Sequence, residues 1–348
     1  MALIFIDGFD HYATSDGIDK YNSVASFGID ATDFRSGLSS LNFNGSNGNV
    51  IVSVPNQVTY IVGFGFRIST PQTLDNRDLV SFYEDSSATG VHVSLQLTGD
   101  KNFRVIRGQR NAFEALLGIT TERFDLNDGF HYIEFKVTIN QTTGSFELKL
   151  DEESILSGSG LDTTNNNGTG NAPLGVIKKI IFRQVPGAPT DTWYDDLYIC
   201  DATGSKNNDF LGDCQVTTIF PKADGALEDW ATQSGTDSFA MVDENPPDDD
   251  STYVQSNVST EQDSFDMDDV SNMTTILGVQ LTEYARFLTG TASIKHLARV
   301  GVTNYLGNTK VLAATYDFHM HIYEDDPDIS NNWTISGLNS AEFGMEVV

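Results

Sequence analysis

Between His131 and Ile139, the apolar residues Ile133, Phe135, Val137 and Ile139 alternate with Tyr132, Glu134, Lys136 and Thr138. After the polar link Asn140-Gln141-Thr142-Thr143-Gly144, the residues Phe146, Leu148 and Leu150 alternate with Glu147, Lys149 and Asp151. Strict period-two alternation predicts two strands, each with one buried and one wet face, and the glycine-ended link joins them as a hairpin. Similar runs recur at Leu3–Ile6, Leu38–Phe43, Val50–Val54, Val58–Ile68, Leu79–Tyr83, Val91–Leu97, Phe103–Ile106, Ala115–Ile119, Val176–Phe182 and Trp193–Ile199. That is roughly a dozen strands before residue 205 and no amphipathic helix, which suits a two-sheet sandwich. Asp162–Asn171 reads as a long polar loop.

Beyond Asp201–Asn208, a small polar segment, the composition shifts. Residues 1–205 hold 14 basic and 25 acidic side chains, residues 206–348 hold 6 and 24, and 224–285 has no Lys or Arg. Strand-like runs resume at Thr275–Leu281, Ser293–Val302, Val311–Tyr323 and Trp333–Ile335, with Tyr316, Phe318, Met320 and Ile322 on one face. The expectation is therefore all-β: a two-sheet sandwich over 1–205 and a second, smaller β-sandwich over 206–348. A chain of 348 residues exceeds what one core usually serves.

The formal net charge of −29 excludes nucleic acid as a direct partner, because binding it requires cations that replace phosphate counterions. The same charge disfavours an anionic membrane surface. The opening Met1-Ala2-Leu3-Ile4-Phe5-Ile6-Asp7 has no basic region and reads as a first strand, not as a signal peptide. No apolar run approaches a membrane span. Cys200 and Cys214 are the two cysteines. They make neither a disulfide framework nor a zinc site, and are expected as free thiols.

Catalytic chemistry is absent from the motifs. No Glu-x-Asp-x-x-Glu strand, Gly-x-Ser-x-Gly elbow, His-Glu-x-x-His helix or phosphate-cradling loop occurs. Asp151-Glu152-Glu153 sits at a strand end, where a solvated turn is the better reading, and Asp248–Asp250 reads as a solvated loop. His319 and His321 form a metal half-site without a third ligand, which favours surface histidines. Trp193, Trp230 and Trp333 have faces that stack on pyranose rings, but each lies beside strand-like apolar residues, and packing is favoured.

The hairpin at 131–151 resembles the central hairpin of concanavalin-A-like (laminin-G-like) jelly rolls. The opening Phe5-Ile6-Asp7-Gly8-Phe9-Asp10-His11-Tyr12 and the closing Trp193-Tyr194-Asp195-Asp196-Leu197-Tyr198-Ile199 resemble tailed-bacteriophage virion proteins that carry such a domain. So do Asn208–Val216, Phe220-Pro221, Trp230, Val242–Asp248 and Trp333–Val347. The resemblance implies a non-enzymatic particle component: a fibre, spike or decoration subunit on the virion surface. Its implied partners are other virion proteins, copies of itself with a trimer favoured, and host-surface polysaccharide. Jelly rolls in which first and last strands are neighbours also hold a structural calcium ion at the strand ends. Asp7, Asp10, Asp195 and Asp196 are the candidate ligands for it here. The ordinary alternative is a tight turn at Asp7-Gly8 and backbone hydrogen bonds at Asp196. A stand-alone adhesin and a polysaccharide depolymerase are the competing functions.

Overall fold

A computed structural model describes residues 2–12, 18, 20–43, 48–69, 76–84, 90–109, 112–165, 175–184 and 191–348. Backbone contacts divide the chain into two compact units, residues 1–10 with 14–217 and residues 11–13 with 218–348. The composition shift at 205/206 precedes this division, because residues 206–217 return to the first unit.

The first unit is a sandwich of two antiparallel sheets. One is eight-stranded and runs Glu153–Leu161, Gly144–Leu150, His131–Thr138, Thr59–Ile68, Thr192–Asp201, Ser40–Phe43, Gly28–Asp30, with Leu3–Asp7 also pairing Thr192–Asp201. The other is seven-stranded and runs Ala112–Ile119, Phe103–Gln109, Val91–Leu97, Arg77–Tyr83, Ile177–Arg183, Asn49–Gln57, Ser23–Ala25. Neighbours come from distant parts of the sequence, as the jelly-roll expectation requires. Aromatic rings bind the layers: Phe64 meets Phe182 at 5.5 Å and Phe82 meets Phe135 at 5.8 Å between centroids. Each such ring contributes about 1.5–3 kcal/mol by leaving water. These contacts also fix which face is inward. Phe82 and Phe182 point at the opposite sheet, so Ser81, Ile181 and Arg183 point outward.

The predicted hairpin forms with Ile133 opposite Leu150 and Thr138 opposite Ser145. Asn140 Oδ1 accepts the Thr142 and Thr143 amides, both at 2.9 Å, which folds the link. A Cβ on Gly144 would lie 2.1 Å from Thr163 Oγ1, so only glycine closes the turn. Ser23–Ala25, Gly28–Asp30 and Glu153–Leu161 were not predicted; they are short or rich in Ser and Gly, with no hydrophobic period. Of the polar loop, residues 166–171 lie outside the described residues.

In the second unit a five-stranded sheet runs Pro221–Glu228, Gln262–Met267, Glu342–Val347, Ser293–Val300, Thr303–Val311. Val279–Ala285 pairs with Asp317–Tyr323 as a separate ribbon. Ala298, Tyr323, Trp333, Leu338 and Phe343 form the core. Two expectations change here. The run Val311–Tyr323 is the end of one strand and the whole of another, separated by Leu312–Tyr316. Trp333–Ile335 is not a strand: Thr334 caps the short helix Ile335–Asn339, its Oγ1 accepting the Gly337 amide at 2.9 Å.

Candidate functional site

Of the stretches that carry the resemblance, residues 208–216 lie over the outward face of the eight-stranded sheet and build structure there, whereas Phe220, Trp230, Val242–Asp248 and Trp333–Val347 belong to the second unit. Tyr132, Glu134 and Lys136 alternate with the inward Ile133, Phe135 and Val137, and residues 209–216 lie across them. Glu134 Oε1 accepts the Leu211 and Gly212 amides at 3.0 and 2.9 Å, and the Tyr198 hydroxyl donates to the same oxygen. Lys136 pairs with Asp209 at 2.9 Å, and Lys149 stands 4.3 Å above the Phe210 ring. Arg35 lies 4.8 Å over Tyr132 and joins Asp196 at 2.5 Å, Asp213, and the Cys214 carbonyl at 2.8 Å. Asp196 is fully buried with φ of 49°, a left-handed backbone held by the Val216 amide and the Ser36 hydroxyl on its Oδ1. The segment is a strap fastened by buried acids. Cys200 is buried, and burial pushes the half-buried Cys214 thiol up to about 12.

The four carboxylates expected to share calcium are thereby divided among separate donors. Asp7 accepts the Phe9 amide at 3.0 Å and pairs with Lys20 at 3.4 Å. Asp10 accepts the Leu38 and Ser39 amides at 2.6 and 3.1 Å. Asp195 accepts the amides of Arg35, Ser36 and Asp196 at 2.7, 3.2 and 2.7 Å. Burial, then the charge of Asp196, raises the Asp195 pKa well above the carboxylate range. Among the described residues no three His, Cys, Asp or Glu side chains are grouped to hold a metal ion. A hard cation wants six to eight oxygens, and these oxygens already face N–H and O–H donors. This donor set does not fit calcium.

The other candidates resolve as packing or turns. Trp193 is buried under Arg67 and donates to Asp30 at 2.9 Å. Trp333 donates to the Tyr323 carbonyl within the second core, and the half-buried Trp230 donates to the Glu261 carbonyl. Asp151 and Glu152 take positive φ in an exposed turn, and Asp250 pairs with Arg286 at 2.7 Å. His319 and His321 are not surface residues. Both are half-buried; His319 stands opposite Glu283, and the His321 ring lies 5.9 Å from that of the buried His296.

What sequence reading missed is the outward face of the seven-stranded sheet. The register places Ser81 opposite both Ile181 and Ser94, and Ser94 opposite Ile106. One step along the strands, Asp78 stands opposite Gln96, and Gln96 opposite Arg104. The polar groups are linked in series. Arg104 Nε donates to Gln96 Oε1 at 2.9 Å, Gln96 Nε2 donates to Asp78 Oδ1 at 2.7 Å, and the Ser81 and Ser94 hydroxyls share a hydrogen bond of 2.8 Å. Beside this row Arg183 Nη2 donates to the Tyr83 hydroxyl at 2.6 Å, and Tyr83, Ile181, Val91 and Ile51 form a small apolar cluster. Ser81, Ser94, Gln96 and His92 have no exposed surface although they point away from the core. Planar amide, carboxylate and guanidinium groups beside an aromatic ring form the chemistry that grips a polyhydroxylated ring. In the sequence only the alternation Val91-His92-Val93-Ser94-Leu95-Gln96-Leu97 hints at it.

No known protein family matches the chain, and no curated protein matches it. Solved structures do. A cellulose-induced protein, Cip1, is 18% identical over 56% of this chain and 96% of its own, with a TM-score of 0.39. Peanut lectin is 12% identical over 57% and 96%, TM-score 0.34, and a legume lectin-like domain from Entamoeba histolytica is 9% identical over 50% and 89%, TM-score 0.32. The likeness is one of fold alone. At such low scores it carries no argument about chemistry, and the jelly roll stands on the chain's own strand order.

Proposed function

We propose that the protein is a non-enzymatic saccharide-binding component, and that the outward face of the seven-stranded sheet is its binding surface. The observation that carries this reading is the Arg104–Gln96–Asp78 series, flanked by the Ser81–Ser94 pair and the Tyr83 ring. Sheets ordinarily turn such a face to water; here its small polar residues are enclosed, and the groups at its rim offer donors and acceptors in fixed positions. The scarcity of acids on these strands supports binding without hydrolysis. Glycosidases use two carboxylates across the scissile bond, whereas Asp78 is the single carboxylate in the five central strands, and Gln96 already engages it.

The finer reading is that this binding serves a tailed-phage particle, as a fibre, spike or decoration subunit facing host polysaccharide. It is supported by the resemblance carried by the stretches at 5–12, 193–199, 208–216, 220–221, 230, 242–248 and 333–347. Three measurements test these claims. A glycan array probed with the full chain should give saccharide hits that Gln96→Ala and Asp78→Ala weaken; hits that ignore both substitutions would move the site elsewhere. Incubation of the bound polysaccharide with the protein should release no reducing ends. Immunogold labelling of phage particles decides the particle assignment separately.

A further inference from the structure

The chain has 49 acidic and 20 basic side chains, but the five central strands of the seven-stranded sheet reverse that balance. They hold Arg77, Arg104, Arg107, Lys178, Lys179 and Arg183 against the single acid Asp78. Of these, Lys179, Arg183 and Arg104 share the outward face with Asp78. Within these strands Arg107 is answered by Asp162, and elsewhere Arg35 is answered by Asp196 and Asp213, Arg67 by Asp33 and Arg286 by Asp250. Arg183 is different. It is half-buried, and among the described residues its guanidinium makes one hydrogen bond, to the neutral Tyr83 hydroxyl, its Nε is buried without a partner, and no carboxylate pairs with it.

A buried guanidinium N–H without an acceptor is costly, and in a protein this acidic a carboxylate partner is easy to supply. We propose that the outward face selects saccharides bearing an anionic group, carboxylate or sulfate, which Arg183 takes through its free N–H donors while Tyr83 holds the guanidinium from the other side. The proposal deepens, and rests on, the saccharide-binding reading above. The planar fork suits a two-oxygen anion, and a half-buried guanidinium keeps its attraction where an exposed lysine loses it to salt. At physiological ionic strength charges beyond roughly 8 Å are screened. A local excess of cations therefore governs what docks here, despite the formal charge of −29 on the whole chain.

The test is an array in which each uronic- or sialic-acid glycan is paired with its carboxyl-reduced form, and each sulfated glycan with its desulfated form. The full chain should favour the anionic member of a pair by roughly 10- to 100-fold, the range of a charge-assisted hydrogen-bonded pair. Arg183→Gln should erase that preference and Arg183→Lys should keep part of it, with unchanged circular dichroism in both. The pairs that respond distinguish carboxylate from sulfate. Hits of equal strength in charged and neutral members, insensitive to Arg183→Gln, would overturn this inference and leave saccharide binding standing. An array with no hits at all would overturn both.

Discussion

The first sandwich has two outward faces built from the same kinds of residue, and they have opposite fates. On the eight-stranded sheet, Glu134, Asp195, Asp196, Arg35 and Lys136 are covered by residues 209–216, and acid meets donor at nearly every contact. On the seven-stranded sheet, Arg104, Gln96 and Asp78 are linked in series across three strands, and among the described residues no acid pairs with Arg183. Charge and burial are therefore poor guides to function when taken singly. A buried ionic group whose partners come from its own chain is holding the fold, whereas one left with open donors on a sheet face is positioned for something else.

The largest effect that separates the faces belongs to Arg35. Replacing it with alanine leaves the fully buried Asp196 and its left-handed backbone without their cation. Removing one member of a buried pair costs about 3–5 kcal/mol. Urea denaturation should show that loss, and a change below about 1 kcal/mol would mean that the strap contributes little. Next comes Gly63, whose Cβ position lies 2.0 Å from the Tyr198 ring that carries the Glu134 hydrogen bond. Gly63→Ala should cost about 1–3 kcal/mol by overpacking. If the strap is one cooperative piece, the variant should also speed thiol labelling at Cys214.

The second unit supplies a comparison of its own in the group around Glu283 and His296. Glu283 has neither carboxylate oxygen hydrogen-bonded; His296 lies 3.6 Å from it, with His319, His321 and Lys310 around them. Burial drives the His296 pKa down to about 4 and lowers those of His319 and His321. Groups of this kind contribute stability above the unfolded value near 6.5, and that contribution is lost as pH falls from there toward 4. Glu283 is shifted up by burial, so its contribution is present below the unfolded value of 4.5 and lost as pH rises. Calorimetry should show the transition falling by a few degrees between pH 7 and 5, with His296→Gln flattening the decline. Glu283→Gln should raise the transition at pH 7.5 and have no such effect at pH 4.5. The opposite order would mean that Glu283 is ionised and paired.

The strands with clean alternation were legible in the sequence, and so was the sandwich, because period two follows directly from burying one face. Glu153–Leu161, Gln262–Met267 and Glu342–Val347 were not, since Ser, Gly and acids occupy positions that only sheet neighbours explain. The motif residues Asp7, Asp10, Asp195 and Asp196 were legible as a group with a common purpose, but not as acceptors of N–H groups. Spacing along a chain does not reveal that Arg35 and residues 211–216 arrive to meet them. The Arg104–Gln96–Asp78 series is the product of register between three strands, and register is a tertiary property.

The smallest expected effect is the one that most sharpens the contrast between the faces. Arg183→Gln removes a half-buried cation whose guanidinium, among the described residues, hydrogen-bonds only the Tyr83 hydroxyl. No acid is stranded by the change, and glutamine can still donate to that oxygen. Side chains away from core, caps and ion networks alter stability by less than about 0.5 kcal/mol when replaced. The denaturation midpoint of Arg183→Gln should therefore match or slightly exceed that of the parent protein, since the unpartnered Nε–H goes with the guanidinium, measured beside Arg35→Ala under the same conditions. A loss of 2 kcal/mol or more, roughly what a hydrogen bond to a charged group is worth, would show that Arg183 braces the sheet as Arg35 braces the strap. The two faces would then be alike, and the case for a ligand at Arg183 would fall with the contrast.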